Sequence, residues 1–102
     1  MNFFQKLFSG DQENLEEIIN SGAYLVDVRS PLEFKSGNVP GSVNIPLDRL
    51  SIEIKKFEGK EKIVVFCQSG MRSAQAKKLL NEKGFGNVFN GGSWTKVNNL
   101  KI

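Results

Sequence analysis

The 102-residue chain has no histidine, one cysteine, three prolines, one tryptophan and one tyrosine. A single cysteine, Cys67, excludes an internal disulfide. Stability must then come from an apolar core, and a reducing compartment fits. Without histidine there is no imidazole to act as general base. Neither a metal nor an organic cofactor is expected. Long apolar runs are missing too. The N-terminal Met1-Asn2-Phe3-Phe4-Gln5-Lys6-Leu7-Phe8 is apolar at helical spacing, but too short and interrupted for a signal peptide or membrane span. The expectation is a cytoplasmic protein without a membrane partner. Residues 1–10 are expected to form an arm that packs on, or docks a partner to, a domain over 11–102.

The composition, 39% hydrophobic and 25% charged, is that of one globular domain. The net charge of +3 comes from scattered lysines, with no basic run and no interleaved aromatics, which argues against a nucleic-acid partner. A mild positive field could still draw in a small anionic substrate.

Short apolar runs alternate with helix-like stretches, the pattern of an α/β domain with a largely parallel sheet. Asn14 to Ile19 reads as an amphipathic helix ended near Gly22, and Ala23 to Val28 as a buried central strand. Ser30-Pro31-Leu32-Glu33 carries a cap, a proline at the first helical position and a glutamate at the third, so a short helix should start there. After the turn cluster Gly37 to Ser42, a strand is expected at Val43-Asn44-Ile45, then a helix over roughly Arg49 to Phe57 capped by Asp48. Ile63-Val64-Val65-Phe66-Cys67 is the strongest β-forming run. Ser73 to Lys83 should be a helix ended by Gly84, Val88-Phe89 a last short strand, and Gly91-Gly92 a tight turn.

The chemistry concentrates in Cys67-Gln68-Ser69-Gly70-Met71-Arg72-Ser73, where the cysteine ends a strand and a helix follows. Open α/β sheets bind ligands at that edge. If the loop curls around the sulfur, backbone N–H groups and the helix N-terminus converge on Sγ and lower the thiol pKa from about 8.5. Gly70 can take a positive φ, small Ser69 limits crowding, and Arg72 offers a fixed positive charge. Taken alone, a cysteine after an apolar strand reads as a core residue. The glycine, the arginine and the helix start tip the balance towards a reactive one.

Asp27-Val28-Arg29, Glu33-Phe34, Gly37 to Pro46, Cys67 to Ser73, and Gly91-Gly92 with Trp94 resemble, in order and spacing, the motifs of a rhodanese domain. The resemblance runs from about Asp11 to the end. It implies a rhodanese-like α/β fold, a central, mostly parallel five-stranded sheet flanked by helices on both faces. It also implies Cys67 as the nucleophile that carries persulfide, with Gln68, Ser69, Gly70, Met71, Arg72 and Ser73 around the substrate. Asp27 and Arg29 match the family's Asp-x-Arg pair and would brace the site, line the substrate path or form a structural charge network. Asn38 stands where many members carry histidine and is expected to serve the turn. Trp94 is expected in the core near the last turn.

Relatives acting on phosphate or arsenate resemble Cys-x5-Arg. Here four residues separate Cys67 from Arg72, a smaller ring that suits sulfur better. The resemblance therefore implies a sulfurtransferase taking sulfane sulfur from a small anionic donor such as thiosulfate to cyanide or a thiol. The alternative is a sulfur-carrier or protein-interaction module served by a sulfur-relay protein, and a scaffold that has lost activity is a third reading.

Overall fold

The computed structural model describes residues 15–102. The expected arm at 1–10, with its three phenylalanines, lies outside the described residues. Residues 15–20 form helix α1. Four strands follow, β1 (Tyr24–Asp27), β2 (Val43–Asn44), β3 (Ile63–Cys67) and β4 (Val88–Ser93). Helices α2 (Pro31–Ser36), α3 (Met71–Glu82) and α4 (Trp94–Leu100) alternate with them.

All pairings are parallel and the strand order is β2-β1-β3-β4. Among the described residues the sheet therefore has four strands, one fewer than the five expected. The chain leaves β1 for β2 on one side and then crosses to β3 on the other. That reversal of order makes the carboxyl ends of β1 and β3 the crevice where open α/β sheets take ligands. Asp27 and Cys67 end those two strands.

A strand buried on both faces reads as a continuous apolar run, and all five residues of β3 are buried. The pleat sends them alternately into two cores. Ile63, Val65 and Cys67 join Val26, Val28, Leu50, Phe57, Ala76 and Leu80 on the face covered by α3. Val64 and Phe66 join Leu15, Ile18, Ile19, Leu25, Val39 and Val97 on the face covered by α1 and α4. Helices thus cover both faces, as expected. Each fully buried Val, Leu or Phe contributes about 1.5–3 kcal/mol, and with one cysteine these two layers hold the fold.

Several local expectations change. The helix expected over Arg49 to Phe57 is two 3-10 helices, Leu47–Arg49 and Ile54–Phe57. Leu47, Leu50, Ile54 and Phe57 recur every three or four residues, so two separate tight turns suffice to drop each into the core. Asp48 sits inside the first of them and caps nothing. Helix α3 starts two residues earlier than expected, which puts Met71 and Arg72 in its first turn. Gly91-Gly92 is a β-bulge inside β4 and not a tight turn: Val65 aligns with Asn90, but Phe66 aligns with Gly92. A side chain on Gly91 would come within 2.8 Å of Val97 and 3.0 Å of Val64.

Candidate active site

Cys67 is 1% exposed, at the end of β3. Beyond it the chain turns over Gln68-Ser69-Gly70 into α3, with Gly70 at the N-cap in a left-handed conformation, φ +101°. Only glycine adopts that readily, and the turn brings the Gly70 N–H to 3.0 Å from Sγ. The Ser73 N–H lies 3.4 Å from Sγ, and its hydroxyl 3.5 Å. Burial, the largest single influence, pushes the thiol pKa up. Hydrogen bonds from the Ser73 hydroxyl and the N–H groups of Ser73, Gly70 and Ser69 together outweigh it, so the pKa lies below its ordinary value. Converging donors that favour the anionic form of a sulfur are what a nucleophile requires.

Arg72, expected to offer a fixed positive charge, carries that charge in a pair with Glu33. Its guanidinium donates to both carboxylate oxygens of Glu33, at 2.7 and 3.0 Å. Glu33 is placed by the capping box that opens α2: its N–H donates to Ser30 Oγ, and its own Oε1 accepts from the Ser30 N–H at 3.0 Å. The hydrogen bonds from Arg72 and Ser30 lower the Glu33 pKa to about 2. One carboxylate thereby ties the cap of α2 to the first turn of α3.

Asp27 and Arg29 are buried, at 0% and 2% exposure, and bond to each other. Arg29 donates to Asp27 through Nε and Nη2, the latter at 2.7 Å. Arg29 also donates to the Gly37 carbonyl at 2.6 Å and lies over the Trp94 ring, 4.7 Å from its centroid. Trp94 packs on the core facing α1 and α4, whereas Cys67 faces α3. Among the described residues no hydrogen bond joins the pair to Cys67 or its loop; what the geometry shows is a buried charge network at the end of β1. Asn38 serves its turn as expected, its Nδ2 donating to the Phe34 carbonyl at 2.9 Å.

Beside the loop opens a cleft of about 450 Å³ lined by Val28, Ser30, Pro46, Leu47, Asp48 and Arg72. Leu32 (80% exposed) and Met71 (74%) are exposed large apolar side chains on α2 and α3, next in sequence to Glu33 and Arg72. Gln68 and Ser69 are exposed in the loop. Two residues at the site escaped the sequence reading, Glu33 as partner of Arg72 and Asn90, which accepts from the Ser73 hydroxyl at 2.7 Å. The capping box located Glu33, but nothing local tied it to Arg72. The bulge that positions Asn90 falls at Gly91-Gly92, where the sequence suggests a tight turn instead.

This fold agrees with the comparisons. The Rhodanese-like domain family matches residues 11–99. A sulfurtransferase of Allochromatium vinosum is 32% identical over 82 residues, 78% of this chain and 77% of the relative. The thiosulfate sulfurtransferase PspE of Escherichia coli is 35% identical over 79 residues, 76% of each. The human single-domain sulfurtransferase TSTD1 superposes with a TM-score of 0.66 at 29% identity, covering 82% of this chain and 88% of that one. The chain belongs to the rhodanese-like domain family, and its relatives support sulfur transfer of the rhodanese type.

Proposed function

We propose that the chain is a sulfurtransferase that moves sulfane sulfur from a small anionic donor such as thiosulfate to a thiol or cyanide through a persulfide on Cys67. The observation that carries this reading is the set of donors converging on Cys67 Sγ from Gly70 and Ser73. The Cys67 thiolate attacks the outer sulfur of thiosulfate. A new S–S bond forms, the donor's S–S bond breaks, and sulfite leaves with its electron pair. The terminal persulfide sulfur then carries the negative charge, and the N–H groups that held the thiolate hold the persulfide. The acceptor attacks that terminal sulfur, the S–S bond breaks, and the Cys67 thiolate is restored. Neither half-reaction needs a general base once the thiolate is formed, which fits a chain without histidine.

In this reading Gln68, Ser69, Gly70, Met71, Arg72 and Ser73 line the reacting sulfur, while Asp27 and Arg29 brace the site from the end of the neighbouring strand β1. A second reading, a carrier receiving sulfur from a partner protein, is favoured by Leu32 and Met71, apolar and exposed beside the Glu33–Arg72 pair. Intact mass spectrometry before and after thiosulfate, then after cyanide, tests both readings. A gain of one sulfur that cyanide removes, absent in Cys67→Ser, supports the enzyme. A gain only from a persulfidated protein supports the carrier, and no gain from either donor overturns both.

A further inference from the structure

Among the described residues Ser73 is the one side chain that hydrogen-bonds to Cys67, and its hydroxyl is shared. A hydroxyl has a single proton. Three acceptors surround this one, Asn90 Oδ1 at 2.7 Å, the Gly70 carbonyl at 3.1 Å and Cys67 Sγ at 3.5 Å. The Asn90 amide is itself fixed: Oδ1 also accepts from the Gly92 N–H at 2.9 Å, and Nδ2 donates to the Gly70 carbonyl at 3.3 Å. Turned over, it would set its NH2 group against the Gly92 N–H. The bulge makes this arrangement possible, because the extra residue Gly91 lets the Gly92 N–H fold back onto Asn90.

We propose that Asn90 is a positioning residue for Cys67, which by holding the Ser73 hydroxyl proton governs when that hydroxyl donates to the sulfur. In the thiol the S–H donates to Ser73 Oγ, and the Ser73 O–H donates to Asn90. An anionic sulfur has no proton to give, so the hydroxyl turns from Asn90 to Sγ. No covalent bond changes in this rotation. The bond gained is to a charged group and the stronger of the two, but it forms at the expense of the short bond to Asn90. Asn90 therefore moderates how readily the sulfur becomes an anion. The charged groups on the elements next to the sulfur are Arg72 with Glu33, from α3 and α2, and Asp27 with Arg29, at the end of the neighbouring strand β1; each pair is internally matched.

The inference concerns the same sulfur as the proposed transfer, but alkylation by iodoacetamide needs no sulfur donor. A chain that moved no sulfur would still test it. The pH midpoint of Cys67 alkylation is measured for the full chain, for Asn90→Ala and Asn90→Asp, and for both in a Ser73→Ala background. Freeing the hydroxyl in Asn90→Ala lowers the midpoint by about half a pH unit, and the stronger acceptor in Asn90→Asp raises it by about one. Both shifts shrink to a minor fraction without Ser73, the signature of action through that residue. A midpoint that stays or rises in Asn90→Ala, or shifts that persist undiminished in Ser73→Ala, would overturn the inference. If Asn90→Ala fails to unfold cooperatively on heating, Asn90→Asp with its Ser73→Ala partner decides the matter alone.

Discussion

Glu33 and Arg72, 39 residues apart in the chain, meet through two hydrogen bonds of 2.7 and 3.0 Å. The guanidinium nearest the reactive loop is thus already matched by a carboxylate. The mouth of the site therefore offers an incoming anion no uncompensated cation from this pair, and Asp48 adds a negative charge to the adjacent cleft.

Glu33→Gln separates the two duties of this residue. Glutamine at the third helical position still accepts from the Ser30 N–H, so the capping box survives, but Arg72 loses its counter-ion. In steady-state sulfur transfer the variant's KM for thiosulfate is expected to fall about fivefold, the worth of roughly 1 kcal/mol for a partly exposed ion pair, with kcat little changed. Raised salt should erase the gain. A KM that is unchanged or higher would mean that Glu33 is structural only and that Arg72 does not meet the donor.

The same pair dictates the acid limb of stability. The Glu33 pKa is lowered from 4.5 to about 2 in the folded chain. A carboxylate with a depressed folded pKa contributes stability that is complete above the unfolded value and fades as pH falls towards the folded one. The window is therefore from about 4.5 down to about 2. Because both side chains are about one-third exposed, solvent screening keeps the contribution small, about 1 kcal/mol or less. Urea unfolding at pH 7 and pH 3 should show a larger acid loss for the native chain than for Glu33→Gln; equal losses would assign the acid sensitivity elsewhere.

What was legible in the chain was local. Ser30, Pro31 and Glu33 announce a helix start through one turn of backbone, and both capping-box bonds are present. The run from Ile63 to Cys67 reads as a central strand, and it is one, buried along its whole length with the candidate nucleophile at its end. What the sequence hid is set by distance in the chain or by competition. Arg72 and Glu33 meet only after α2 and α3 have packed, and the same holds for Ser73 and Asn90, which sit on different elements. From Leu47 to Phe57 apolar spacing fits one helix or two 3-10 turns equally well, and packing chose the turns. Trp94 reads as core and does pack on it, but that it heads α4 and carries Arg29 on its ring could not be read from the chain.

Arg29→Ala should damage the fold more than the chemistry. It leaves the Asp27 carboxylate buried without its ion partner and the Gly37 carbonyl without its donor. Removing one partner of a buried pair costs about 3–5 kcal/mol. Denaturant unfolding should register that loss, while the pH midpoint of Cys67 alkylation in the folded fraction stays where it was. A midpoint displaced by a full unit would instead assign Arg29 a direct influence on the sulfur.

Gly91→Ala tests the bulge beneath Asn90. The new methyl would lie 2.8 Å from Val97 Cγ2 and 3.0 Å from Val64 Cγ1, two side chains with no exposed surface to retreat to. Overpacking of this kind costs about 1–3 kcal/mol, and each kcal/mol lowers Tm by roughly 4–8 °C in a domain of about 100 residues. Val97→Ala alone opens a cavity and is destabilising in its own right. Combined with Gly91→Ala, the space it opens takes up the new methyl, so the double variant should lose less than the sum of the single losses. Additive losses would show that the strain lies in the β4 backbone and not in contact with Val97.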